Sequence, residues 1–301
     1  MGRDEACTLP GESEKPIVFS HLFARRYDGA TFTPTTVTNA ELQDLITALR
    51  GDEGLTLSVG NPANFLKDFL RSWSRNELWP EDVATARYTA RQAYGQGAVF
   101  DFVPYLPGQE VPFPYEYDLP ENAPIHRVES VSMPSAARAL GRGDEPWLIQ
   151  VAVHQRVLAT HFALYSDLDA VDLFHLQNTI KGTPEIDAVF LLTFREGGTL
   201  RKALVTLEAK RNDPILPDQI RSQVAYMAKQ CRVRPGLNDV DFIVPVAAAT
   251  RKPSRRLGIF EMRHISVADG VAAHDAGRQH TLPLVVAKAV GYDFVPPVSG
   301  I

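Results

Sequence analysis

Residues 184–230 read PEIDAVFLLTF (184–194), REGG (195–198), TLRKALVTLEAK (199–210) and RNDPILPDQIRSQVAYMAKQ (211–230). The first and third pieces are apolar runs of strand length, and Glu196-Gly197-Gly198 between them supplies a turn suited to positive backbone angles. The spacing predicts an antiparallel hairpin, with Asp187–Phe194 as one arm and Thr199–Lys210 as the other. Side chains alternate faces along a strand, so Thr206, Glu208 and Lys210 share one face while Val205, Leu207 and Ala209 share the other. The pairing sets Asp187, at the start of one arm, near Glu208, at the end of the other. Two carboxylates and one ammonium therefore converge without help from distant sequence. Acids are costly beside apolar strands unless something pairs with them, and a divalent metal is the partner this pattern points to.

Outward from the hairpin, Leu216–Gln230 reads as an amphipathic helix. Ile220, Val224, Met227 and Cys231 form its apolar stripe, and Gln219, Gln223, Tyr226 and Gln230 its polar one. Two apolar runs, Val240–Ala249 and Leu257–Ile265, read as further strands. Upstream, Asp167–Ile180 reads as helical or irregular, Glu145–Ala163 as one helix, and His126–Met133 as a short strand. His154 and His161 lie two turns apart on that helix, too far to share a metal, so both read as packed or surface residues. Six prolines between Pro104 and Pro124 resist both ladder and helix and predict an extended connector. Before it, Thr38 and Glu41 form a capping box ahead of Leu42, Leu45, Ile46 and Leu49. Asn61-Pro62 opens a second helix with the stripe Phe65, Leu66, Phe69, Leu70 and Trp73. A third helix is expected from Pro80 to about Ala93, ended by Gly95-Gln96-Gly97, and Ala98–Tyr105 reads as a strand. The boundaries that follow are a polar tail at 1–15, a mostly helical domain at 16–105, a connector at 106–124 and an α/β domain at 125–301.

The 301 residues are 45% hydrophobic and 22% charged, ordinary globular values, and the formal charge of -5 excludes a polycation. The charge is uneven. Residues 1–150 carry 13 Lys+Arg against 21 Asp+Glu, whereas residues 151–301 carry 18 against 15. The half with the acid–lysine cluster is the more basic, which suits an anionic ligand. Two cysteines, Cys7 and Cys231, make neither a disulfide framework nor a zinc site. No membrane-length apolar run or signal-peptide pattern occurs, so a cytoplasmic protein without membrane attachment is expected. No Ser-His-Asp order, phosphate-binding glycine loop or dinucleotide fingerprint is present.

Glu185-Ile186-Asp187, a hairpin, then Glu208-Ala209-Lys210 and a glutamine-bearing helix resemble the PD-(D/E)xK nuclease superfamily. Pro184 stands three residues before Asp187, displaced from the place the name implies. The resemblance covers about Glu145 to Ile265 and implies a mixed central sheet flanked by helices, a restriction-endonuclease-like core. It implies Mg²⁺, held by Asp187, Glu208 and the Ala209 carbonyl, with the scissile phosphate completing the shell. Lys210 would orient the attacking water, help deprotonate it or stabilise transition-state charge. A glutamine early in the following helix is a feature of many members, and Gln219 fits. Gln150 sits where some relatives carry a glutamate, which would leave that acid absent here. Glu185 or an upstream polar residue could serve a second ion. Size and arrangement look like a type II restriction endonuclease acting on double-stranded DNA as a homodimer. The alternatives are a repair or modification-dependent nuclease of the same superfamily, and a DNA-binding protein that keeps the fold without cutting.

Three helices followed by a strand resemble a winged-helix arrangement, which would present Arg87 and Arg91 one turn apart on the third helix. Lys67 and Arg71 line the polar side of the second. In the α/β domain, Arg211 and the basic turn Thr250–Arg256, with Arg251, Lys252, Arg255 and Arg256, are candidates for backbone phosphates.

Overall fold

The structure, a computed structural model, describes residues 13–301 except Val59, Tyr94, Gln96 and Thr183. Most of the polar tail, Cys7 and the centre of the Gly95-Gln96-Gly97 breaker lie outside the described residues. The chain divides into two compact units, Met1–Pro114 and Tyr115–Ile301.

The first unit runs α1 (Lys15–Ala24), β1 (Thr36–Thr38), α2 (Asn39–Asp52), α3 (Phe65–Leu70), α4 (Glu81–Thr85), β2 (Tyr88–Gln92) and β3 (Ala98–Pro104). Its antiparallel sheet has the order β1-β3-β2. Phe19 of α1 is the hub of the core, with the rings of Phe65, Phe69, Trp79 and Phe100 4.7–5.3 Å away. Thr38 caps α2 as expected, accepting the Glu41 N–H, but the Glu41 carboxylate pairs with Arg26 instead of completing the box. The second predicted helix is shorter than its apolar stripe. It starts as a 3₁₀ turn at Pro62–Asn64, stops at Leu70 and leaves Trp73 exposed. Ser72 then bonds the local backbone at Ser74, an alternative that competes with helix.

The third predicted helix is replaced after one turn by a strand. Arg87 adopts φ +61 after α4, and residues 88–92 join β3 in a hairpin. Sheet pairing by Tyr88 and Thr89, residues of good strand propensity, overrides the helical reading. Arg87 and Arg91 therefore do not share a helix face. The Arg87 guanidinium donates to the Gln109 carbonyl and lies over the Tyr105 ring, while Arg91 is 3.5 Å from Asp101. Arg71 faces Asp68.

The second unit runs β4 (Ile125–Glu129), α5 (Ser135–Ala139), α6 (Glu145–His154), α7 (Val157–Leu164), β5 (Asp169–Ile180), β6 (Ile186–Glu196), β7 (Thr199–Arg211), α8 (Pro217–Val233), β8 (Phe242–Thr250), β9 (Leu257–Met262), β10 (Ile265–Ser266), α9 (Val267–Asp275) and β11 (Val286–Val295). The mixed sheet has the order β4-β11-β9-β8-β7-β6-β5, with β10 beside β8. β7 and β8 are parallel, joined through α8, as are β4 and β11; the other pairs are antiparallel. One face of the sheet carries Phe190, Leu192, Val205 and Leu207 against α6 and α7. The other carries Val189 and Leu204 against Ile220, Val224 and Met227 of α8. The fold is thus mixed α/β, a curled sheet flanked by helices.

Three expectations change in this unit. Glu145–Ala163 is two helices, because Arg156 adopts φ +52 between them. A left-handed residue ends a helix, and with arginine in place of glycine the sequence carries no stop signal there. Asp167–Ile180 holds a twelve-residue edge strand, β5, with register shifts between Ala170 and Asp172 and between His175 and Gln177. Those bulges break the two-residue alternation by which strands are read. The proline-rich connector is split: Phe113 is buried in the first unit's core and Tyr117 in the second's, against Phe260. No helix among the described residues is long and apolar enough to cross a membrane.

Candidate active site

The β6–β7 hairpin forms in the expected register, with Phe194 opposite Arg201 and Ala188 opposite Leu207. Backbone pairing between the two strands ends there. Beyond it Asp187 substitutes its side chain, whose Oδ2 accepts the Ala209 N–H at 2.8 Å. That bond fixes the carboxylate at the mouth of the hairpin. Thr206, Glu208 and Lys210 are all buried. The Lys210 ammonium is 2.6 Å from Glu208 Oε1 and donates to the Ala209 carbonyl at 3.0 Å. Asp187, Glu208, Ala209 and Lys210 are therefore one cluster.

Two residues join it that the sequence placed elsewhere. Glu145, in the first turn of α6, accepts from Lys210 Nζ at 3.1 Å. Its position follows from the helix start, where Asp144 caps the Trp147 N–H and Pro146 sits in the first turn. Glu145 is the acid that helix contributes, and Gln150 is exposed. The signal was the Asp-Glu-Pro cap itself, which fixes which residues begin the helix. On α8 the glutamine that touches the cluster is Gln223, not Gln219. Its Nε2 donates to Glu208 Oε2 at 2.5 Å and to the Glu185 carbonyl at 2.9 Å. Gln223 is fully buried beside Val224, and the polar stripe had masked that. Gln219 lies one turn earlier, with no hydrogen bond to the cluster among the described residues. Glu185 contributes its carbonyl, and its side chain is exposed.

The charges are unbalanced. Three carboxylates, Asp187, Glu208 and Glu145, surround one ammonium. Burial pushes the Glu208 carboxyl up to about 7 against the pull of Lys210, and Asp187 adds to the rise. Asp187 is also raised, first by burial and then by Glu145 and Glu185, despite the Ala209 N–H and Lys210. Burial works to lower the Lys210 pKa, but Glu208 and Glu145 outweigh it and hold the ammonium above its ordinary value.

No group of three or more His, Cys, Asp or Glu side chains among the described residues gathers as a metal cage. The donor set is narrower: two carboxylates and a backbone carbonyl, all hard oxygens. Mg²⁺ bound through one or two carboxylates, with water and phosphate completing its octahedron, needs no more from a protein. The excess negative charge would be relieved by a cation. The carboxamide oxygens of Gln219 and Gln223 are buried without a hydrogen-bond partner among the described residues, as happens beside sites that hold water or an ion. By donor type these residues suit the group, with the Ala209 carbonyl taken by Lys210 in this structure.

The basic residues separate by partner. Arg211 donates to the carbonyls of Gly300 (2.9 Å) and Gly143 (3.1 Å) and acts as a structural clamp. Arg251 pairs with Asp118, and Arg256 grips Asp293 with two nitrogens. Lys252 and Arg255 are exposed, and their side chains have no hydrogen bond or ion pair among the described residues. His161 is buried, with Nε2 3.0 Å from Glu261 Oε2; Ser166 donates to the other oxygen of Glu261, and Tyr292 lies 3.3 Å from His161 Nδ1. This network has the packed character expected of His161.

No family model, no curated protein and no solved structure matches the chain.

Proposed function

We propose that the protein is a Mg²⁺-dependent endonuclease of double-stranded DNA, with a PD-(D/E)xK core and the site specificity of a type II restriction enzyme. The observation that carries the reading is the cluster of Asp187, Glu208 and Lys210 at the end of a hairpin followed by a parallel crossover. The order α7-β5-β6-β7-α8-β8, with β7 parallel to β8, supports it. That order gives a mixed sheet flanked by helices, and β5 adds a strand that the sequence did not show. In the first unit, helices backed by a β1-β3-β2 sheet suit a winged-helix DNA-holding domain. Arg87 and Arg91 are engaged locally, so that role rests on topology alone.

Asp187 and Glu208, with the Ala209 carbonyl, would hold the ion. When bound, Mg²⁺ supplies charge stabilisation at the phosphate and lowers the pKa of water. The chain's own part is positioning and proton control. The Ala209 N–H fixes Asp187, and Gln223 fixes Glu208, so neither carboxylate must reorganise as charge builds on the phosphate. Glu208 must be ionised to serve, and its burial works against that ionisation until a cation is bound beside it. Lys210 stays protonated under Glu208 and Glu145. As a cation it would orient the attacking water or steady the leaving charge. A homodimer would place one such site on each strand.

The test is digestion of unmethylated phage DNA with Mg²⁺ or with EDTA. Discrete fragments with Mg²⁺ alone are expected. A smear, or cutting only of methylated DNA, would replace the restriction reading by a repair or modification-dependent nuclease.

A further inference from the structure

At the carboxyl ends of the parallel strands β7 and β8 lies a cleft of about 510 Å³. Open α/β sheets bind ligands at the carboxyl ends of their strands, and this cleft begins at the residue after Lys210. Its walls are the turn after β7, the β8–β9 turn and the segment at Gly300. The two turns are stitched together. Asn212, at φ +65, donates its N–H to the Thr250 carbonyl and accepts the Lys252 N–H at its side-chain oxygen. Arg211 holds the third wall through Gly300. The cleft is thus a built feature of the backbone.

Its side-chain charge is one-sided. Arg211, Lys252 and Arg255 line it, and no Asp or Glu side chain does so among the described residues. The selection within the turn is informative. Arg251 and Arg256 are neutralised by Asp118 and Asp293, which lie off the cleft, whereas the two cations that face it, Lys252 and Arg255, are left unmatched. Ser254 adds a hydroxyl. Two exposed cations, one fixed cation and a hydroxyl, set against the single chain-end carboxyl of Ile301 that also borders the cleft, are chemistry for an oxyanion.

We propose that this cleft is a phosphate subsite, in which Lys252 and Arg255 hold a backbone phosphate of the DNA strand being cut. The cleft begins at Arg211, next in the chain to Lys210, so the phosphate held is a near neighbour of the bond being cut. The identity of the ligand as DNA rests on the nuclease reading above, whereas the oxyanion chemistry rests on the cleft alone. The subsite positions the strand and carries no base readout.

The experiment is binding of a short DNA duplex in EDTA, by fluorescence anisotropy across a salt series, so that no cutting intervenes. The wild type is compared with Lys252→Gln/Arg255→Gln and with Arg195→Gln/Arg201→Gln, which removes the same charge at the opposite end of β6 and β7. All four residues are at least partly exposed, and thermal melting checks that each variant folds. The cleft variant is expected to lose about tenfold or more in affinity, with a log affinity against log salt slope shallower by about 1. The control variant is expected to keep the wild-type slope. Equal losses in both variants, no loss in the cleft variant, or no duplex binding by the wild type would each overturn the proposal. The nuclease reading fails separately. A wild type that binds through Lys252 and Arg255 but never cuts with Mg²⁺ retains the subsite and loses the enzyme.

Discussion

Replacing Glu208 by glutamine should make the protein more stable at alkaline pH while removing its proposed activity. Burial holds the Glu208 carboxyl at about 7 instead of its ordinary 4.5. At about 1.36 kcal/mol per pH unit, the folded chain prefers the protonated acid by about 3 kcal/mol. The folded state then binds more protons than the unfolded state between those values, so wild-type stability falls as pH rises from about 4.5 to about 7. Above that window the full loss is present. A glutamine cannot ionise and escapes it. Its carbonyl can still accept from Gln223, but its amide then faces the Lys210 ammonium, which removes about 1 kcal/mol of the gain. The net expectation is about 2 kcal/mol in favour of Glu208→Gln at pH 8.5, and no such gain at pH 4. For a domain of this size that is a rise in Tm of about 4–8 °C. Urea and thermal melts in EDTA at both pH values read it directly. A variant less stable than wild type at pH 8.5, or a gain that persists unchanged at pH 4, would refute the claim that Glu208 is held ionised against its burial.

Lys210→Met should leave Glu208 buried without its cation, raise its pKa further and destabilise the protein by about 3–5 kcal/mol at pH 8.5; the loss should shrink at pH 4, as pH-dependent urea melts would record. Gln223→Leu removes the donor to both Glu208 and the Glu185 carbonyl and should cost about 1–3 kcal/mol in the same melts, with a larger fall in cleavage than in DNA affinity. His161→Leu removes one of the two partners of the buried Glu261, leaving Ser166, and should cost about 1–3 kcal/mol without changing the metal dependence of cutting. Phe19→Ala, at the hub of the first unit's core, should cost about 3–5 kcal/mol in that unit's unfolding.

The central hairpin was legible because three independent signals agreed: two apolar runs, a Gly-Gly turn and a face-sharing set of polar residues. Each local choice pointed to the same structure. Asp187, Glu208 and Lys210 came together for that reason. What the sequence hid was set by non-local pairing. Tyr88–Gln92 reads as the end of a helix running from Pro80 to the Gly95-Gln96-Gly97 breaker, until β3 claims it. β5 was obscured by bulges that break its alternation, and Arg156 ends a helix in a conformation that arginine does not advertise. The glutamine error has a similar origin. Gln219 and Gln223 lie one turn apart, and only the packing of α8 on the sheet decides which one reaches Glu208. Glu145 was overlooked because its contact with Lys210 spans 65 residues, although its helix start was plain.

The most direct test of the central claim is the conversion of supercoiled plasmid by wild type, Asp187→Asn, Glu208→Gln and Lys210→Met, each with Mg²⁺ and with EDTA. Linear or nicked product from the wild type with Mg²⁺ alone, and a loss of at least about a hundredfold in each variant, is the result predicted. A wild type that leaves the plasmid intact, or a Glu208→Gln variant that cuts like wild type, would contradict it.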